Sequence, residues 1–264
     1  MNDLEIHTRF FAAQAIAREG GQLALKLFRN RDALTVETTG VHDRVSEADF
    51  EVEALIRDRL AALYPDDGFL GEESGAKESS GDASGVWVVD PIDGTDCFVN
   101  GIPVWCVSIA YLVGNEVEIG VIYDPNADEL FATRRGHGAS LNGAPICASG
   151  ARSLEDGIVG IGYSPRTDRQ PAVAAIDRLL SAGGMYQRNG SGALMLAYVA
   201  AGRLIGYYEA HINAWDCLAG IALVREVGGW TNDFLADEGL RRGNLIVAAP
   251  PGLEEAMRRV AGLG

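Results

Sequence analysis

The sequence predicts a layered α/β (α+β) sandwich in two lobes, residues 1–145 and 146–264. Three observations lead there. Apolar residues recur at helical spacing near the N-terminus. Strand-like runs joined by a tight turn fill the middle. The second half then alternates short strands with helices. A chain of 264 residues, 47% of them hydrophobic, suffices for one large domain or two small ones with a sizeable core.

Ile6, Phe10, Ala13 and Ala17 share one helical face, and Leu23, Leu27 and Phe28 resume it after Gly20-Gly21, where a bend or restart is expected. A second helix is expected from Asp49, placed as its N-cap, with Val52, Leu55, Ile56 and Leu63 on one face and Pro65 ending it. Gly68 to Leu70 reads as a strand running into Gly71-Glu72-Glu73-Ser74. The polar, Gly/Ser-rich stretch Ala76 to Ser84 reads as an exposed loop. Val86 to Val89 is a short apolar strand that delivers Asp90. Val107 to Val113 and Val117 to Tyr123 read as strands around a Gly114-Asn115 turn, with a third at Glu129 to Thr133 and a turn-rich stretch from Arg134 to Gly143. Beyond these, Gly157 to Gly162, Leu204 to Glu209 and Leu245 to Ala249 read as strands. Ala172 to Leu180, Ala193 to Ala201, a segment opened by Asp216, and Leu253 to Val260 read as helices, with Gly202 and Gly228-Gly229 as stops.

The net charge of -15 argues against a DNA-binding or general nucleic-acid-binding role, which needs basic surface. It suits an anionic substrate only if metal ions reverse the local field. Met1 to Phe11 is charged and lacks a signal-peptide core, and no apolar run approaches the ~20 residues of a spanning helix. No membrane partner and a cytoplasmic location are therefore expected. Cys97, Cys106, Cys147 and Cys217 form neither a C-x-x-C pair nor a zinc pattern, and read as buried reduced thiols. His7, His42, His137 and His211 lack ligand spacing; His211 lies near Asp216 but is expected at the surface.

One segment carries chemistry. An apolar strand ends in Asp90, Pro91 fixes the backbone, and Asp93-Gly94-Thr95 follow, with Gly94 permitting close approach. Two carboxylates so near repel each other unless a cation lies between them, and oxygen donors suit a hard ion such as Mg2+. A short helix opening after Gly94 would aim free N–H groups at a phosphate. Alone, D-x-x-D-G is also an ordinary turn pattern. Glu72 and Glu73 at another strand end, and Asp216 at a helix start, set this run apart, because acidic groups at several strand ends can converge in α/β folds.

Three blocks carry a resemblance: Gly71-Glu72-Glu73-Ser74; Trp87 through Asp90-Pro91-Ile92-Asp93-Gly94-Thr95 to Phe98; and Trp215-Asp216 followed by Ala219-Gly220 and Gly228-Gly229. In that order they resemble the inositol monophosphatase family of metal-dependent, lithium-sensitive phosphatases, and weaker matches extend the similarity from about residue 40 to 250. The resemblance implies a sugar-phosphatase-like αβαβα sandwich of two sheets, two or three Mg2+ ions and a homodimer. It implies that Glu72, Asp90 and the Ile92 carbonyl hold one ion, that Asp90, Asp93 and Asp216 hold a second, and that a third sits near Glu72. Glu72, Thr95 and Asp49 would be catalytic, with Thr95 and Asp49 orienting and deprotonating the attacking water. Asp93, Gly94, Thr95, Gly190, Ser191, Gly192 and Glu209 would contact the substrate, Glu209 through a sugar-alcohol hydroxyl; Ser164 is a weaker candidate.

The implied reaction is hydrolysis of a small phosphate monoester, inositol monophosphate first. Departures keep other esters open. Asp96-Cys97 replace the family's usual Thr-Asn, Glu37 to Gly40 lacks its usual loop lysine, and Gly101 to Trp105 is similar to histidinol-phosphatase members. Histidinol phosphate, fructose 1,6-bisphosphate and phosphoadenosine nucleotides are the alternative substrates. A non-catalytic regulatory protein associated with RNA machinery is the alternative of another class.

Overall fold

A capping box between Asn2 and Glu5 starts helix α1, which runs unbroken through Asp3–Arg29. The bend expected at Gly20-Gly21 does not occur. The two glycines mark close packing: a Cβ on Gly20 would lie 3.1 Å from Ile56, and one on Gly21 2.5 Å from Tyr123. The computed structural model describes residues 2–31, 34–40, 43–77, 85–165 and 167–264, with backbone alone for 36–40, 43–45 and 77. Strands β1 (Val36–Gly40) and β2 (Asp43–Ser46) form an antiparallel pair leading into α2 (Glu47–Leu63). Ser46, not Asp49, is the N-cap of α2. Asp49 sits three residues later and its carboxylate accepts from the Ser46 N–H, which closes a capping box. The buried face of α2 is Ala48, Asp49, Val52, Glu53, Ile56 and Leu60. Leu63, expected inside, is exposed, because the helical period carries the stripe from Ile56 to Leu60.

The first sheet contains β3 (Gly68–Gly71), β4 (Gly75–Lys77), β5 (Val86–Asp93), β6 (Cys106–Val113), β7 (Glu116–Asp124), β8 (Glu129–Arg134), β9 (Ala139–Leu141) and β10 (Ala144–Pro145). Their spatial order is β10-β9-β8-β7-β6-β5-β3-β4, and every pairing is antiparallel except β3 with β5. The loop expected at 76–84 begins inside β4, and its residues 78–84 lie outside the described residues. The stretch expected to be turn-rich, 134–143, has turns on either side of the short strand β9. Strand β5 does not stop at Asp90. After a register irregularity it pairs Asp93 with Cys106, and the short helix α3 (Thr95–Val99) follows.

The second half adds β11 (Ile158–Ile161), α4 (Gln170–Ser181), β12 (Met185–Gln187), α5 (Gly192–Ala200), β13 (Tyr207–Ile212), α6 (Ala214–Glu226), β14 (Trp230–Thr231), α7 (Gly239–Arg242), β15 (Asn244–Ala249) and α8 (Glu254–Ala261). Its sheet runs β12-β11-β13-β15-β14, parallel across β12, β11 and β13 and antiparallel around β15. The strand expected from Leu204 starts only at Tyr207. Asp216 lies in the first turn of α6, behind its N-cap Asn213, rather than opening the helix.

Side-chain alternation builds the layers. Trp87, Val89, Val107, Ile109 and Tyr111 point to α1 and α2. Val88, Cys106, Ala110 and Leu112 point the other way, to α5 and α6, which also pack on Tyr207, Ile246 and Ala248 of the second sheet. Val159, Ile161, Val247 and Ala249 face α4 and α8. The result is a five-layer αβαβα sandwich whose middle core draws on both halves of the chain.

Candidate metal centre

Three elements deliver four acids to one place. The turn after β3 brings Glu72, the irregular end of β5 brings Asp90 and Asp93, and the first turn of α6 brings Asp216. Carboxylate oxygens of Glu72, Asp90 and Asp216 all lie within 4.8 Å of one another. Asp90 is buried and its Oδ1 accepts the Ile92 N–H at 2.9 Å; Asp216 Oδ2 accepts the Asn213 N–H at 3.1 Å. Burial pushes the Glu72 and Asp90 carboxyls well above the usual range, and the surrounding carboxylates push them further. Three oxygen donors so close can hold a divalent ion, which would relieve that repulsion, and the donor set is that of a hard cation.

Asp93 stands beside this trio rather than in it. Its carboxylate is engaged by the start of α5: Ser191 Oγ donates at 2.5 Å, the Ala193 N–H at 2.7 Å and the Gly192 N–H at 3.3 Å. Burial raises the Asp93 carboxyl to about 8, Asp216 adds to the rise, and the three donors oppose it. The buried Cys106 thiol lies 3.9 Å from the same carboxylate and 3.6 Å from Ser191 Oγ. Ser191 and Gly192 line the cleft with Gly190, but the polar groups of Ser191 and Gly192 serve Asp93.

Thr95 Oγ1 donates toward Asp49 Oδ1 at 3.2 Å and the Ile92 carbonyl at 3.1 Å. Asp49 is wholly buried. Its other oxygen accepts from Ser46 N and Oγ, and burial raises its pKa against those bonds. Gly94 has φ 103° and a Cβ there would meet the Val104 carbonyl at 2.9 Å, so the turn into α3 requires glycine. The first bond of α3 runs from Phe98 N to the Gly94 carbonyl, so the preceding N–H groups have no helical acceptor and line the cleft.

Across the cleft, Glu209 accepts the Tyr207 hydroxyl at 2.5 Å and is buried. A Cβ on Gly162 would collide with the Glu209 carboxylate, and one on Gly190 would lie 2.7 Å from Cys97 Sγ. Cys97 donates to the Asn189 carbonyl at 3.3 Å, while Asp96 is exposed at the rim. Ser164 and Arg188 also line the cleft; Arg188 donates to the Tyr163 carbonyl. Arg166 and His42 lie outside the described residues, as do the side chains of Glu37 to Gly40.

Some functional neighbours escaped the sequence reading. Glu53 accepts the N–H groups of Glu73 and Ser74 and so holds the turn that carries Glu72. The available signal was its place one turn after Asp49 on the apolar face of α2. Tyr207 gave no signal beyond strand patterning, and Cys106, expected as a buried thiol, gave none toward Asp93. Of the four thiols expected inside, Cys147 is exposed. His211 is half-buried, with Nε2 bonded to the Arg242 carbonyl rather than facing the acids.

Carboxylates gathered from strand ends and a helix start, on a five-layer sandwich, define a class: an α/β protein with an acidic centre for hard cations. The chain belongs to the inositol monophosphatase family, whose sequence model matches residues 5–261. It is 38% identical over 247 residues to Nus factor SuhB of Haemophilus influenzae, covering 92% of each chain. It superposes on the crystal structure of extragenic suppressor protein suhB from Bartonella henselae with TM-score 0.91 at 32% identity, covering 97% of this chain and 99% of that one. A Thermotoga maritima IMPase matches with TM-score 0.84 at 30% identity, covering 97% of each chain. The family's metal dependence agrees with the acidic cluster. Among the described residues no helix is long and apolar enough to cross a membrane.

Proposed function

We propose that the protein is a Mg2+-dependent phosphatase that hydrolyses a small phosphate monoester, with inositol monophosphate the first candidate. One observation carries the reading: the Glu72, Asp90 and Asp216 cluster shares a cleft with Thr95, whose hydroxyl is bonded to the buried Asp49. Glu72, Asp90 and the Ile92 carbonyl would hold one ion, and Asp90, Asp93 and Asp216 a second, with an optional third near Glu72. When bound, the ions supply the positive field that acidifies water and offsets phosphoryl charge, and they reverse the local potential of a chain with net charge -15.

The chain's own groups do the rest. The Thr95 hydroxyl proton points to Asp49 and Ile92, so Thr95 Oγ1 presents lone pairs to a water and aims it at phosphorus. Asp49, made more basic by burial, takes the proton through Thr95. N–H groups of Gly94 and Thr95 would hold phosphoryl oxygens. Glu209, oriented by Tyr207, accepts a hydroxyl of the alcohol group, which favours a polyol. The Ser191 and Asp93 link fixes the second ion's ligand.

The test is a panel of esters with purified protein and Mg2+: myo-inositol 1-phosphate, histidinol phosphate, fructose 1,6-bisphosphate and a phosphoadenosine nucleotide. Inositol phosphate should be preferred; a preference of about a hundred-fold for another ester would replace it. The proposal extends to a cytoplasmic, lithium-inhibited homodimer without DNA binding. A second reading, a regulatory binding role, is favoured by the name Nus factor carried by the curated relatives. Absence of Mg2+ binding together with capture of a macromolecular partner would support it.

A further inference from the structure

We infer that Glu53 is a positioning residue for Glu72, and that α2 uses one buried face to set both Glu72 and Thr95. The inference rests on the metal reading above. Glu53 is 2% exposed, a costly place for a carboxylate. Its two oxygens are spent on one short turn: Oε2 accepts the Glu73 N–H at 2.8 Å and Oε1 the Ser74 N–H at 2.9 Å. These are the two residues after Glu72, whose own N–H bonds back to the Val89 carbonyl at 3.2 Å. The turn is thus gripped on both sides of the Glu72 side chain. Gly71 completes the fit, since a Cβ there would collide with the Glu53 carboxylate.

Asp49 lies one helical turn before Glu53 on the same buried face and accepts from Thr95. A single rigid helix therefore holds two parts of the site in register, the turn bearing a metal ligand and the hydroxyl that aims water. Glu53 is neither part of the Glu72, Asp90 and Asp216 cluster nor a lining residue of the cleft. It acts by fixing where the Glu72 carboxylate stands relative to Asp90 and Asp216, and such supporting partners typically govern metal affinity by about 10–100-fold.

The test is Mn2+ binding by calorimetry to the full chain, for wild type and Glu53→Gln, alongside melting in EDTA. Gln keeps one acceptor and turns an amide NH2 toward a backbone N–H, so affinity should fall about 10–100-fold. Glu53→Asp keeps both acceptors on a shorter stem and should recover part of that loss. If Glu53→Gln lowers the melting temperature in EDTA but leaves Mn2+ affinity within about twofold, Glu53 is only structural and the inference is overturned. If Glu53→Gln does not fold, Gly71→Ala carries the test, because its methyl displaces the same carboxylate without changing charge; unchanged affinity there overturns the inference too. Wild-type protein that binds no Mn2+ would instead overturn the metal reading itself, and with it this inference.

Discussion

Removing divalent ions should make stability fall as pH rises through the neutral range. Asp93 has an ordinary pKa of 3.8 and is raised to about 8 in the folded chain, chiefly by burial. Between pH 5 and 7 the folded protein therefore keeps a proton that the unfolded chain has released. A raised folded pKa means that the stabilising difference is complete below about pH 4 and is lost as pH climbs toward 8. One such proton corresponds to a slope of about 1.4 kcal/mol per pH unit, or about 3 kcal/mol across the window. Glu72, Asp90 and Asp49 are raised by burial as well and act with the same sign. The carboxyls lowered from their ordinary values, Glu19 and Asp156, act with the opposite sign, but their ordinary values of 4.5 and 3.8 lie below the window, so they oppose the fall only weakly at its acid end. The assay is urea denaturation in EDTA at pH 5, 6 and 7, repeated in saturating Mg2+, where bound ions displace the protons and the fall should disappear. Stability in EDTA that stayed flat or rose over that range would refute the account of a buried, mutually repelling carboxylate cluster.

Other outcomes follow from single contacts. Thr95→Val keeps shape but removes the hydroxyl between Asp49 and Ile92, so kcat should fall by about 10²–10⁴ with Mg2+ affinity little changed, as steady-state kinetics would show. Ser191→Ala removes both a bond to Asp93 and the cap of α5, which should cost about 2 kcal/mol or more in denaturant melts run in Mg2+. Glu209→Gln should raise KM for a polyol phosphate while leaving hydrolysis of p-nitrophenyl phosphate intact; equal losses on both would remove Glu209 from substrate recognition.

A layered α/β sandwich was legible because helical and strand runs survive in the sequence, as in Ile6, Phe10, Ala13 and Ala17 or in Val86 to Val89, while the αβαβα order came from the family resemblance. Boundaries were less so. Gly20-Gly21 looked like a break because local propensity disfavours glycine in helices, yet Ile56 and Tyr123 need that space. Asp49 looked like a cap because acids favour that position, while Ser46 takes it and leaves Asp49 inside the protein beside Thr95. Glu72, Asp90 and Asp216 are 18 and 126 residues apart in the chain, so their meeting is a product of β3, β5 and α6 packing; acids at strand and helix ends hinted at it, and the three-block resemblance assigned it. Glu53 carries no motif at all; its task appears once the Glu72 turn is seen against α2.

The most direct measurement is phosphate release from myo-inositol 1-phosphate by the purified chain, titrated with Mg2+ after EDTA treatment and compared with Asp93→Asn. Release should be absent in EDTA, recover as Mg2+ is added, and be sharply lower in the variant at every Mg2+ concentration. Full release in EDTA, or a variant as active as wild type, would contradict the proposed metal-dependent hydrolysis.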